Sequence, residues 1–230
     1  MANILITGSN RGLGLELART FAIEGWRVFA CCRTPERAAE LKALVQEGVD
    51  IDIRRLDMTR PEQIKALSQA LRDVPLDILL NCAGIFGPRP TELDASDVEG
   101  WLTTYHTNSL APLQMALAFL PQLTSAPKPI LASISSTLGS ISMNKTGGDY
   151  AYRASKAALN MVNKGLSVDL AALGIICVVL HPGWMHTRMG GPQAPLSPRE
   201  SAAGLKKVLL GLKASDNGRF INYLGESRPW

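Results

Sequence analysis

Seven short runs rich in Ile, Val and Leu recur along this 230-residue chain, and between them lie six stretches of helical periodicity. The apolar runs cover residues 3–6, 27–32, 49–56, 77–81, 129–135, 175–180 and 220–224; the helical patterns cover 12–24, 35–47, 61–72, 97–120, 152–173 and 198–212. Runs this continuous belong to strands buried on both faces, which occur where helices cover a parallel sheet on either side. Strand–helix alternation requires right-handed crossovers, so the order predicts a single doubly wound α/β domain of Rossmann type over residues 1–230, with a seven-stranded parallel sheet. Thr34-Pro35-Glu36 and Thr59-Arg60-Pro61-Glu62 are expected to open two of the helices, with proline in the first turn and an acid near the positive helix end. The stretch 187–197, crowded with Gly190, Gly191, Pro192 and Pro195, is the one long loop signal, and a short substrate lid is expected near 187–200.

With 46% hydrophobic and 19% charged residues, the chain has material for a core and too little charge for disorder. A net charge of +4 from scattered basic residues argues against a nucleic-acid surface. The apolar stretches 110–120 and 174–180 are too short, or too interrupted by Pro112 and Gln114, to cross a bilayer. The N-terminus does not read as an export signal, so a cytoplasmic location is expected, without membrane or nucleic-acid partners. Cys31, Cys32, Cys82 and Cys177 lie in apolar surroundings, and the adjacent pair on one strand must face opposite ways; they read as reduced core residues. Neither their spacing nor that of His181 and His186 suits a metal, and none is expected.

In such folds ligands sit beyond the carboxyl ends of the strands. The first strand runs into Thr7-Gly8-Ser9-Asn10-Arg11-Gly12-Leu13-Gly14 and then a helix, placing glycines where the chain turns and where backbone must approach a diphosphate at a helix N-terminus. The spacing Gly-x-x-x-Gly-x-Gly resembles that of the short-chain dehydrogenase/reductase family, in its compact single-domain branch. An NAD-preferring site would carry an acid at the end of the second strand; here the sequence is Ala30-Cys31-Cys32-Arg33. Arg33 with Arg11 would meet a 2′-phosphate, so NADP(H) is preferred over NAD(H).

Tyr152 and Lys156 are four residues apart on a predicted helix, about 40° apart around its axis, and so share a face. Tyr150 lies about 240° from the lysine on a continuing helix and is the less suitable partner. A phenol is a poor proton donor at neutral pH, and the Lys156 ammonium is expected to bring its pKa down. Transfer of hydride to a carbonyl also needs donors aimed at the oxygen. Ser136, in Ser133-Ile134-Ser135-Ser136, ends its strand as the family's serine motif does, with Thr137 and Ser140 as alternatives because 144–149 reads as a small insertion. Pro112 has no N–H for the carbonyl of Asn108, which leaves that oxygen free for water.

The resemblance implies further roles. Asn108 matches the family's helix asparagine, whose water links the lysine to solvent. Asp57 and Met58 match the adenine-contacting segment; Asn81-Cys82-Ala83-Gly84 is similar to the family's Asn-Asn-Ala-Gly element. Pro182, Gly183 and Thr187, in His181-Pro182-Gly183-Trp184-Met185-His186-Thr187, resemble its turn at the carboxamide end of the cofactor. The resemblance covers nearly the whole chain, and the strings around Leu138-Gly139-Ser140-Ile141 and Gly147-Gly148-Asp149 look like the C-factor and sniffer-type carbonyl reductase subgroup. It implies an NADP(H)-dependent oxidoreductase acting on a small carbonyl or alcohol, with Phe86, Met143, Tyr150, Trp184 and Met189 near the substrate. Helices 97–120 and 152–173 resemble those that pair subunits, so a homodimer or homotetramer is expected. The alternative is a cofactor-binding signalling or redox-sensing protein without essential turnover.

Overall fold

Ile4 and Ile6 enter one apolar layer and Leu5, between them, enters the other. The same alternation runs through the sheet in the computed structural model, which describes residues 1–89 and 96–230. The strands are β1 (Asn3–Thr7), β2 (Arg27–Cys32), β3 (Ile51–Arg55), β4 (Ile78–Asn81), β5 (Ile130–Ile134), β6 (Ile176–His181) and β7 (Phe220–Asn222), all parallel in the order β3-β2-β1-β4-β5-β6-β7. Helices α1 (Gly12–Ile23), α2 (Ala39–Gln46) and α3 (Pro61–Ala70) follow the first three strands; α4 (Val98–Tyr105), α5 (Ala111–Ala118) and α6 (Leu120–Thr124) precede β5; α7 (Tyr150–Asp169) and α8 (Pro198–Gly211) complete the fold. One layer packs Leu17 and Phe21 of α1, Leu41 and Leu44 of α2 and Leu205 and Leu209 of α8 on the sheet; the other packs Ile64 of α3, Met115 of α5 and Leu166 of α7. Cys31 joins the second layer and Cys32 the first, as the pleat requires, and both are unbridged.

The order reverses between β1 and β4, which opens a crevice at their carboxyl ends. Thr7 crosses it: its Oγ1 accepts from the N–H groups of both Cys82 and Ala83 at 3.0 Å. The loop after β1 is thereby seated on the loop after β4.

Several local expectations are corrected. Neither threonine caps its helix. Thr34 precedes a short 3-10 turn, Pro35–Arg37, without a side-chain cap, and Thr59 gives its hydroxyl to Asp57, leaving Arg60 at the start of α3. The pattern over 97–120 is not one helix but α4, a π turn at His106–Leu110 and α5, since Pro112 cannot continue the regular ladder. The long helix α7 starts at Tyr150, two residues early, behind three successive left-handed residues, Gly147, Gly148 and Asp149. The lid stretch folds back on itself: His186 N–H donates to Leu196 at 2.8 Å and Trp184 Nε1 to Gly190 at 2.8 Å, while residues 198–200 already belong to α8. Among the described residues no helix is long and apolar enough to cross a membrane, and no three His, Cys, Asp or Glu side chains gather as metal ligands.

Candidate active site

The glycine turn is tight by necessity. Gly8 takes a left-handed φ of 73°, and a Cβ on it would stand 2.8 Å from Cα of Ala83; a Cβ on Gly14 would stand 2.3 Å from the Gly8 carbonyl oxygen. The backbone at the start of α1 can be approached closely from outside because glycine alone fits inside. Leu13 is buried beneath the turn, whereas Asn10 and Arg11 are exposed beside it. A Cβ on Gly12 would stand 3.6 Å from the Thr187 methyl group, so the loop after β6 lies beside the glycine turn. Thr187 Oγ1 accepts from Gly190 N–H at 3.0 Å, Pro182 accepts from the Ser201 hydroxyl at 2.6 Å, and Gly183 turns the chain at φ 84°.

Positive charge gathers at this end of the sheet. The Arg11 guanidinium is held below its ordinary pKa by partial burial and by the charges of Arg188 and Arg33. Asp57 is half-buried; burial raises its pKa, but two hydrogen bonds from Thr59 and the charges of Arg33 and Arg60 outweigh that and leave it below the usual carboxylate range. Arg33 therefore sits between Arg11 and Asp57 electrostatically. The nearby acid Glu36 is engaged by Arg55. Met58 is buried after β3. These groups fit a dinucleotide with an added phosphate: a turn too tight for side chains at Gly8 and Gly14, and Arg11 and Arg33 without an ion pair among the described residues.

On the other side of the crevice, α7 carries Tyr152 and Lys156 into the interior, 8% and 4% exposed. Ser136 acts on the hydroxyl of Tyr152 and opposes the rise of its pKa, and Ser136 Oγ accepts from Leu138 N–H at 3.1 Å. Of the alternatives, Ser140 Oγ donates to the Trp230 carbonyl at 3.1 Å, whereas Thr137 donates only its backbone N–H, to His181 Nδ1 at 3.3 Å. Lys156 Nζ donates to the Ile134 carbonyl at 2.8 Å. A Cβ on Gly84 would stand 3.2 Å from Asn108 Oδ1 and 3.5 Å from Lys156 Nζ, so these three groups line one space. Asn108 is fully buried in the π turn. Its Oδ1 accepts from Ile85 N–H at 2.9 Å, and its Nδ2 donates to the Ile85 carbonyl at 2.8 Å and Ser155 Oγ at 2.9 Å. Asn81 is buried at the end of β4, with Nδ2 3.4 Å from the Pro112 carbonyl.

The electrostatic expectation is reversed. Burial pushes the Tyr152 phenol up to about 12, against the opposing influence of the Ser136 hydroxyl and the charge of Arg89; burial likewise pushes Lys156 down to about 8. The low-dielectric surroundings, which a sequence does not display, outweigh the attraction of the ammonium for a phenolate. Burial thus favours the neutral form of the Tyr152 phenol.

Three positioning groups escaped the sequence reading. Thr7 bridges the two strands at the crevice. Asn160, one turn beyond Lys156 on α7, accepts from Ser135 Oγ at 2.7 Å and donates to the Gly139 carbonyl at 3.1 Å, tying the serine loop to the helix. Ser155 joins Asn108 to the carbonyl of Tyr152, to which its hydroxyl donates at 2.8 Å. Of the expected substrate neighbours, Phe86 is half-buried against Tyr152, while Met143, Tyr150, Trp184 and Met189 are exposed.

Residues 2–195 match a family model described as short chain dehydrogenase. The chain is 42% identical over 156 residues to the C-signal protein of Myxococcus xanthus, covering 68% of this chain and 93% of that one. Among solved structures, the carbonyl reductase Sniffer of D. melanogaster is similar with a TM-score of 0.92 at 38% identity, both chains being covered in full. The NADPH-bound carbonyl reductase from chicken fatty liver is similar with a TM-score of 0.92 at 36% identity, over 100% of this chain and 99% of that one.

Proposed function

Given that the chain belongs to the short-chain dehydrogenase family, we propose that it is an NADP(H)-dependent oxidoreductase that interconverts a carbonyl and an alcohol on a small molecule. The observation that carries this reading is the burial of Tyr152 and Lys156 one turn apart on the same face of α7, beside Ser136 beyond the end of β5. When bound, NADPH supplies the hydride. The glycine turn at Gly8, Gly12 and Gly14 would hold the diphosphate; Arg11 and Arg33 would hold the 2′-phosphate. Asp57 and Met58 would meet the adenine side, Asn81, Ala83 and Gly84 the floor of the crevice, and Pro182, Gly183 and Thr187 its far end. The NADPH in the chicken enzyme's crystal structure supports the choice of nucleotide.

In the reduction direction, Ser136 orients the carbonyl oxygen and Tyr152 gives it a proton as the carbon accepts the hydride, so that an alcohol leaves. Lys156 returns a proton toward Tyr152, and Asn108 positions the water path that refills it. The chain 187–197 acts as a lid, set by its contact with the glycine turn. Exposed Leu102, Tyr105 and Leu110 beside α4 and Met161 and Val168 on α7 support pairing of two or four copies through these helices. The test is NADPH consumption over a panel of aldehydes and ketones, with Tyr152→Phe as the control.

A second reading has one observation in its favour, the 42% identity to the C-signal protein: the chain binds its nucleotide to signal and needs no turnover. The two readings part on Tyr152→Phe, which abolishes the output of an enzyme and preserves that of a sensor.

A further inference from the structure

Tyr152 is one layer of a three-part stack. Phe86, in the loop after β4, lies over its ring with centroids 4.4 Å apart and planes 5° from parallel. The Arg89 guanidinium lies 3.4 Å from the centroid of Phe86, and since the gap between the rings has no room for it, it covers the outer face. A guanidinium stacked this way keeps its five N–H donors directed outward around its edge. Arg89 spends little of that capacity: Nη2 donates to the Met189 carbonyl at 3.4 Å, long for such a bond, and no carboxylate pairs with it among the described residues. The side chain is exposed and bridges the loop after β4 to the lid.

On the reductase reading of this site, we propose that Arg89 selects carbonyl substrates that carry a carboxylate, holding it in a two-pronged contact while the carbonyl oxygen meets Ser136 and Tyr152. The fork geometry matches two carboxylate oxygens, and charge-assisted bonds of ordinary length outcompete one long bond to a neutral carbonyl. The Phe86 face excludes water from one side of the cation and fixes its plane. That Arg89 acts electrostatically on Tyr152 places it at the same mouth. The acid acting on Tyr152 is Asp149, at the start of α7, so the mouth presents both signs and the anion is drawn to the Arg89 side.

The experiment pairs para-formylbenzoate with its neutral methyl ester. Binding is measured by calorimetry on the protein loaded with NADP+, where no reduction occurs, and turnover is measured separately with NADPH. The unmodified protein binds the carboxylate roughly tenfold or more tighter than the ester; Arg89→Met brings the ratio close to one, and Arg89→Glu inverts it. Arg89 is exposed, so neither change disturbs the core. Equal binding of the pair by the unmodified protein, or a preference that survives Arg89→Met, overturns the proposal. Arg89-dependent binding without turnover leaves the anion site standing and overturns the reductase reading instead.

Discussion

Lys156 Nζ lies 5.7 Å from the centroid of the Tyr152 ring, and both side chains are buried on one face of α7. Their pKa values move apart for one reason, loss of solvent, which penalises the ammonium and the phenolate alike. Carbonyl reduction uses neutral Tyr152 and charged Lys156. Burial lowers the lysine to about 8, so its proton is lost as pH rises through that value, whereas the tyrosine keeps its proton to about 12. In the reduction direction kcat/KM is therefore flat below about pH 8 and falls about tenfold per unit above it. Lys156→Arg, whose charge does not titrate, removes that break even if the rate drops. A profile level to about pH 10 in the unmodified protein contradicts the assignment of Lys156.

Arg11 and Arg33 share a site in which Glu36 is engaged by Arg55 and Asp57 by Thr59. Replacing Arg33 by alanine removes charge-assisted bonds to a 2′-phosphate. The ratio of NADPH to NADH affinity falls by roughly 10–100-fold, while NADH binding itself changes little. Titration of each nucleotide by intrinsic fluorescence reads this directly; an unchanged ratio places the phosphate elsewhere.

A Cβ at Gly14 would meet the Gly8 carbonyl oxygen at 2.3 Å, and main chain on both sides leaves no flexible group to yield. Gly14→Ala costs about 1–3 kcal/mol and weakens nucleotide binding, because the turn must open to admit the methyl group. Thermal melting with and without NADPH measures both effects. A melting point within about a degree of the parent, with NADPH stabilisation intact, refutes the tight-turn account.

Asn160 holds Ser135 and Gly139, on either side of Ser136, through two buried hydrogen bonds. Asn160→Leu strands both partners and destabilises the fold by about 2–4 kcal/mol, which lowers the melting temperature by roughly 5–15 °C. Asn160→Asp keeps the acceptor for Ser135 and gives up the donor to Gly139, so it falls between the two. Equal melting points for all three proteins would show that the serine loop is held by other contacts.

What the sequence disclosed was whatever rests on local spacing. Ile4-Leu5-Ile6 and Val28-Phe29-Ala30 read as two-sided strands because both faces are covered, and Tyr152 and Lys156 share a face because helix geometry fixes the angle between them. Thr7 and Asn160 passed unnoticed since their partners lie 21–76 residues away and nothing local announces them, and Arg89 because its bond to Met189 spans 100 residues. The direction of the Tyr152 shift was misjudged for a related reason: proximity to a cation follows from the helix, but the depth of burial is set by Phe86 stacking on the ring from a different loop. The proline at position 112 signalled an interruption correctly, yet its form, a π turn that buries Asn108, depends on Ile85 and Ser155 accepting the side chain.

The most direct test removes one oxygen. With NADPH and an aldehyde that the parent protein reduces, Tyr152→Phe should lose roughly 10²–10⁴-fold in kcat while binding NADPH with unchanged affinity, since the ring and its stack with Phe86 remain and only the proton donor is gone. A phenylalanine variant that still reduces the aldehyde at the parental rate would contradict the assignment of Tyr152 as the acid.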